Sequence, residues 1–429
     1  MKQTEVGLIP DDWEVKRLGE ISNGFSYGVG AEAVSFNGSD RYIRITDIDD
    51  VTNRFVPNPL CSPKFYSSSD IVQENDILFA RTGASVGKTY IYDKKDGRLI
   101  FAGFLMKLHV KDADSKFIFY QTLTDKYKSW VISESMRTGQ PGLNLEQIKN
   151  FLIPLPPLAE QQQIAKALSD VDALISTTEK LIQKKKNIKQ GTMQNLLTGK
   201  KRLPGFGPQN KSPTYKQTEL GPIPEDWEVK NIMDILISSK DKLKIGPFGS
   251  QLKKEYLLSN GFYKVFGQEN IYSGNFEYCY RFLTKEHFQK LQSCELKPGD
   301  FVISTMGTIG KCDIVPENVG VGIMDSHLVR LRLLNSMDKN FFKYFFQSDL
   351  IQKQIVALSV GGIMDGLSTA IIKKLNVIEF SKEEQTAIAN VLSNMDKEIE
   401  TLNTKLEKYR NLKTAMMQQL LTGKIRLVK

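Results

Sequence analysis

Cysteine and histidine are scarce in this chain of 429 residues, with four of the first and three of the second. Cys61, Cys279, Cys294 and Cys312 form no Cys-x-x-Cys pair, and His109, His287 and His327 form no His-Glu-x-x-His motif. Structural zinc, a disulfide framework and zinc-protease chemistry are therefore not indicated. So few imidazoles also leave general acid–base catalysis by histidine little to work with. No run of 18 or more apolar residues occurs and no charged-then-apolar leader opens the sequence, which argues against a membrane span or a signal peptide and for a cytoplasmic protein.

Catalytic signatures are equally thin. Thr82-Gly83-Ala84-Ser85-Val86-Gly87-Lys88 looks like a fragment of a phosphate-binding loop, but three residues separate its glycines where the Walker A pattern has four. The corresponding stretch Gly307-Thr308-Ile309-Gly310-Lys311-Cys312 has only two. Both read as tight turns after a strand, with glycine permitting close backbone approach and a lysine able to meet a phosphate. Pro10-Asp11 with Glu14-Val15-Lys16 is too short to place acidic residues on two strands of a nuclease hairpin, and Asn58-Pro59-Leu60 lacks the second proline and the aromatic of a methyltransferase tetrapeptide. No catalytic residue, metal ligand or cofactor site emerges.

What the chain has instead is a repeat. Lys2-Gln3-Thr4-Glu5, Gly7, Ile9-Pro10 and Asp12-Trp13-Glu14-Val15-Lys16 return as Lys216-Gln217-Thr218-Glu219, Gly221, Ile223-Pro224 and Asp226-Trp227-Glu228-Val229-Lys230. The ends repeat too: Glu160-Gln161 and Glu384-Gln385 each open a long periodic stretch, and both stretches close on Leu-Leu-Thr-Gly-Lys at 196–200 and 420–424. In the second stretch Ile388, Leu392, Met395, Ile399, Leu402, Leu406 and Tyr409 recur at alternating spacings of four and three, a coiled-coil seam. The first carries a weaker seam, Ile164, Leu168, Val171, Ile175 and Ile182, supplemented by Leu174, Leu181 and Ile188 one position away. Gly199 and Gly423 stand where a left-handed C-cap is required. About 38 residues at 1.5 Å each make a rod of roughly 57 Å, whose nearest partner is its own copy.

Between the shared ends, residues 17–155 and 231–379 hold short β-branched and aromatic runs broken by Gly, Pro, Asn and Asp. Tyr42 to Ile48, Asp76 to Ala80, Lys88 to Tyr92 and Leu99 to Val110 read as strands, followed by a helix near Lys116 to Ile132. The counterparts are Phe262 to Gly267, Asp300 to Ser304, Lys311 to Val315 and His327 to Leu333, with a helix near Lys339 to Ala357. Residues 201–215 are rich in Pro and Gly and read as a linker. The expected order is a globule at 1–155, a helix at 156–200, the linker, a globule at 216–380 and a helix at 381–429. The fold class is α+β: two mostly β globules joined by two long antiparallel coiled-coil helices, with pseudo-two-fold symmetry from internal duplication. Such symmetry can match that of duplex DNA.

With 58 Lys plus Arg against 49 Asp plus Glu the net charge is +9, which suits a polyanionic partner. Residue types that read bases or meet phosphates sit among the aromatics of the β regions: Arg41, Arg44, Arg54, Arg81, Thr82, Lys88, Arg137 and Gln140, then Lys253, Lys254, Lys264, Gln268, Asn270 and Lys311. The Gly-rich stretches 138–142 and 361–366 lie at matching places and read as hinges or as followers of a DNA backbone.

Along essentially its whole length the chain resembles the DNA specificity subunit of Type I restriction-modification systems. The resemblance rests on Ile9-Pro10-Asp11-Asp12-Trp13 and its repeat, Asp76-Ile77-Leu78 with Gly83 to Lys88, the stretch from Ile153 to Gln161 (Ile-Pro-Leu-Pro-Pro-Leu-Ala-Glu-Gln), and the Leu-Leu-Thr-Gly-Lys ends. The second copy of that stretch, from Val377 to Gln385, has no prolines. The resemblance implies two target recognition domains, each reading half of a split, asymmetric target in double-stranded DNA. It implies helices that act as spacer and dock two methyltransferase subunits, with restriction subunits added for cleavage. It also implies a non-catalytic chain, its partners binding S-adenosylmethionine and ATP.

Overall fold

The computed structural model describes residues 1–136, 141–207, 214–307, 310–359 and 366–427. Two units are present, one of residues 1–180 with 403–429 and one of residues 181–402. The architecture is α+β, and each unit contains a mostly β globule packed on portions of both long helices.

In the first unit the central sheet is antiparallel, with strands in the order Ser22–Tyr27, Leu105–Val110, Asp76–Ala80 and Thr89–Ile91. Asp76 to Ala80 are all buried, and this run forms an inner strand. Asp76 closes the turn before it, accepting a hydrogen bond from Gln73 N at 2.7 Å. A parallel pair, Asp40–Ile43 with Arg98–Phe101, lies beside it, and Glu14–Arg17 pairs with Leu152–Leu155 to bring the two ends of the globule together.

The second unit repeats this scheme. Its central sheet runs Leu243–Ile245, Leu328–Leu331, Phe301–Ser304, Cys312–Ile314, its parallel pair is Tyr263–Phe266 with Gly322–Met324, and Glu228–Asn231 pairs with Asn376–Glu379. The differences are local: the first unit adds a hairpin-like pair, Ala33–Ser35 with Cys61–Pro63, and the second adds helices Gln268–Ser273 and Lys285–Lys290 with strand Phe282–Leu283.

Four sequence expectations are corrected. Leu99 to Val110 is two strands, because Ala102-Gly103-Phe104 turns the chain from the parallel pair into the central sheet. The run from Tyr42 ends as a strand at Ile43, where Asp47 caps the turn Ile45–Asp47 by accepting from Arg44 N. The helix after the sheet is two helices in each unit: Ser115–Gln121 with Asp125–Ser135, and Lys339–Phe346 with Asp349–Ser359. The break comes from hydroxyls that bond back to the helix, Thr122 Oγ1 to Phe119 O and Ser348 Oγ to Phe345 O, both at 2.6 Å. The predicted linker ends early, since Tyr215 already opens the strand Tyr215–Thr218.

The long helices span Leu158–Leu197 and Lys382–Leu420. In the first unit Ile164 and Leu168 share a core with Leu420 and Leu421; in the second Met193, Leu196 and Leu197 share one with Ile388 and Leu392. Opposite ends pair, so the helices run antiparallel. Lys413–Asp172 at 2.7 Å and Arg410–Glu179 at 3.0 Å bridge them in the first unit, and Lys185–Glu398 and Lys189–Asp396, both at 2.6 Å, in the second.

Candidate nucleic-acid interface

Both globules meet their helices through one repeated lock. The glutamine of each Glu-Gln pair holds the start of its helix: Gln161 Nε2 donates to Pro156 O at 2.7 Å while its Oε1 accepts from Asp114 N at 2.9 Å. Gln385 does the same with Phe380 O and Asp338 N, both at 2.8 Å, so the prolines before the first helix are not needed for this geometry. The glutamates are buried, and each accepts from an arginine just past the end of the other long helix. Arg426 reaches Glu160 at 2.6 and 2.7 Å and Asp12 at 2.7 and 2.9 Å. Arg202 reaches Glu384 at 2.5 and 2.6 Å and Asp226 at 2.9 Å. Hydrogen bonds to Glu160 and Asp12 raise the pKa of Arg426, and the same arginine lowers that of Asp12. For Arg202 burial opposes the charge, but Asp226 and Glu384 outweigh it. The locks differ at one atom: Trp13 Nε1 donates to Glu160 at 3.0 Å, whereas Trp227 Nε1 is buried with no acceptor among the described residues. Gly199 and Gly423, at φ +68° and +69°, lie so near Pro224 and Pro10 that a Cβ would sit 2.4 Å from the proline ring.

Arg202 and Arg426 are not among the residues nominated from sequence. The signal was present, because Leu-Thr-Gly-Lys-x-Arg-Leu occurs at 197–203 and again at 421–427.

Of the residues nominated for DNA contact, several are occupied within their own unit. Arg44 makes a two-pronged bond to the buried Asp47 at 2.8 Å, Arg41 donates to Asp96 O at 2.8 Å, and Arg54 lies 3.7 Å from Glu179. Lys88 donates to Ile48 O at 2.8 Å and pairs with Asp50, so the loop from Gly83 to Lys88 turns its lysine inward. Gly87, at φ +80°, lets that loop pass Val131, whose side chain would lie 2.5 Å from a Cβ. The hollow beside it, about 310 Å³, is lined mostly by neutral residues such as Ser85 and Tyr127, with Asp50, Lys88 and Lys128 as its charged groups. Asn270 is buried and uses its amide to close its own helix, accepting from Gly267 N and donating to Asn275 O and Tyr278 O. Gln268 donates to Met306 O, Lys264 to Glu277 O, and Lys253 lies 3.4 Å from Glu255. Lys254 and Lys311 are exposed, and Thr82 bridges Gly142 through its backbone. Arg81 stacks over the ring of Tyr27 at 4.6 Å, and its Nε is buried without an acceptor among the described residues. Arg137 and Gln140, like 138–139 and 361–365 of the Gly-rich stretches, lie outside the described residues.

The nominated seam residues Ile164, Leu168, Val171, Ile175, Ile182, Ile388, Leu392, Ile399 and Leu406 are buried, and Met395, Leu402 and Tyr409 are half-buried. Leu174, Leu181 and Ile188 are exposed. Among the described residues no helix is long and apolar enough to cross a membrane, and no cluster of three or more His, Cys, Asp or Glu could hold a metal ion.

Comparison with known proteins places these features. The family model of the Type I restriction modification DNA specificity domain matches residues 10–190 and 224–408, one match for each half of the repeat. The chain is 30% identical to the Type I restriction enzyme MjaVIII specificity subunit of Methanocaldococcus jannaschii, over 98% of this chain and 94% of that one. It is 25% identical to the Type I restriction enzyme EcoBI specificity subunit of Escherichia coli over 50% of this chain and 44% of that one. In fold it is similar to the S subunit of a Type I restriction-modification system from M. genitalium, with a TM-score of 0.60 at 15% identity, covering 98% of each chain.

Proposed function

The chain belongs to the Type I restriction modification DNA specificity family, and from that premise we propose that it selects the DNA sequence on which a restriction-modification complex acts. Each globule, within 1–155 and 216–380, reads one half of a bipartite target in double-stranded DNA. The helices at 156–200 and 381–429, with the linker 201–215 after the first, set the spacing of the halves and dock two methyltransferase subunits, to which restriction subunits add for cleavage. The chain itself performs no catalysis and binds no cofactor, and it acts in the cytoplasm, where its DNA lies.

The observation that carries this reading is one backbone frame built twice in a single chain and dressed with different side chains. Two copies of a reader on matching helices suit a split target, and unlike surfaces make the two halves unlike in sequence. Nominated residues left exposed, Lys254 and Lys311, suit phosphate contacts, which position a protein on DNA without reading sequence.

The test is methylation mapping of DNA from cells that express the chain with its methyltransferase. A split, non-palindromic motif that depends on the chain is expected, and replacing residues 231–379 by those of a relative should change one half only. A palindromic motif, or methylation indifferent to the chain, refutes the reading.

A further inference from the structure

Where the central sheet of each unit meets the turn from its parallel pair, the two backbones are bonded alike. In the first unit Arg81 N donates to Phe104 O at 3.0 Å, Leu143 N to Arg81 O at 2.8 Å and Gly28 N to Leu105 O at 3.2 Å. In the second, Thr305 N donates to His327 O at 2.9 Å, Leu367 N to Thr305 O at 2.8 Å and Gly246 N to Leu328 O at 3.0 Å. Both junctions need glycine beside the turn: a Cβ on Gly28 would lie 2.3 Å from Ala102 O, and one on Gly246 would lie 1.7 Å from Asp325 O. The frame is thus fixed in both units by the same contacts.

The side chains on that frame are unlike. Tyr27, Arg81 and Phe104 in the first unit correspond to Ile245, Thr305 and His327 in the second. Phe104 is 66% exposed and Tyr27 is 42% exposed. Thr305 is buried and closes on its own frame, its Oγ1 donating to His327 O at 3.0 Å. Arg81 is not so bound. Its guanidinium rests on the Tyr27 ring, which orients the plane without neutralising the charge, and Nε finds no acceptor among the described residues. Arg44, Arg281 and Arg332, by contrast, each face an aspartate.

Two modules that hold one backbone and read different sequences must differ where they touch the bases. A planar guanidinium held by a ring, whose terminal amino groups meet no acceptor among the described residues, matches the O6 and N7 acceptors of guanine. We propose that Arg81 reads a guanine in the half-site served by the first unit, and that the corresponding position of the second unit, Thr305, reads no base. This rests on the DNA-selecting function proposed above, and it makes Arg81 a specificity-determining residue.

The experiment uses the full chain assembled with its methyltransferase subunits, and maps methylation for the unaltered chain and for Arg81→Ala, Arg81→Gln and Thr305→Ser. The unaltered chain gives a split motif containing at least one guanine in the affected half. Arg81→Ala relaxes the preference for one guanine by about 5- to 150-fold and leaves the other half intact. Arg81→Gln shifts that position toward adenine, which Gln pairs with bidentately, a gain that misfolding cannot produce. Thr305→Ser leaves the motif unchanged. If Arg81→Ala lowers methylation evenly across all sites with the motif unaltered, Arg81 meets a phosphate and the proposal is overturned. If the unaltered chain yields no split motif, the DNA-selecting function fails first and this proposal falls with it.

Discussion

Replacing Arg426 with alanine measures the strength of the lock in the first unit. Glu160 is 0% exposed, and without Arg426 its carboxylate keeps, among the described residues, only the Trp13 indole N–H at 3.0 Å. Removing one partner of a fully buried ion pair costs about 3–5 kcal/mol. Arg426 keeps 29% of its side chain exposed, so water reaches the pair and the loss falls nearer 2–3 kcal/mol, by order of magnitude. The Asp12 arm is half exposed and adds at most about 1 kcal/mol. In a unit of roughly 200 residues each kcal/mol moves the melting midpoint by about 2–4 °C, so calorimetry should show the transition of the first unit falling by about 4–12 °C. Arg202→Ala should do the same to the second unit through Glu384. The double change Glu160→Leu with Arg426→Met should recover most of the loss, because it removes both charges together. A shift below roughly 1 °C for Arg426→Ala would refute the reasoning, since a buried carboxylate cannot lose its main partner so cheaply.

Further expectations follow from the same region. Gly423→Ala and Gly199→Ala force a Cβ within 2.4 Å of a proline ring at positive φ, and each should cost more than about 1 kcal/mol in denaturant titration, where a neutral result would count against the close packing. Trp13→Phe should destabilise more than Trp227→Phe, by about 1–2 kcal/mol, because only the first indole serves a buried carboxylate; equal losses in parallel melts would contradict this. Arg426 holds Asp12, and Arg202 holds Asp226, below the ordinary carboxyl value of 3.8. The unfolded chain therefore protonates first, and the stability these residues supply is intact above that value and disappears as pH falls through their lowered folded-state pKa values. Asp12→Asn and Asp226→Asn should flatten the acid limb of a melting-temperature profile, and an unchanged limb would mean that other carboxylates govern it.

The repeat and the long helices were legible in the sequence because both are local. A seam spaced four and three, a Glu-Gln pair at the start and a glycine past the end define each helix with no knowledge of what it packs against, and two copies of one word order define two copies of one globule. The buried run Asp76–Ala80 was legible for the same reason. Breaks were less so: Leu99 to Val110 reads as one apolar run, and only the carbonyls beside Gly28 and the turn at Gly103 show that it is two strands in different sheets.

The fate of the charged residues belongs to tertiary structure. Arg44, Lys88 and Arg81 look equivalent in sequence, yet Asp47 takes the first, Ile48 O and Asp50 the second, and the Tyr27 ring supports the third. Asn270 has the chemistry to read adenine and uses it on its own backbone. Composition and periodicity determined that this chain is a duplicated pair of β globules on antiparallel helices, since burial of an apolar stripe depends on spacing along the chain. Which polar group remains unsatisfied depends on acceptors brought from distant residues, and the folded backbone alone decides that.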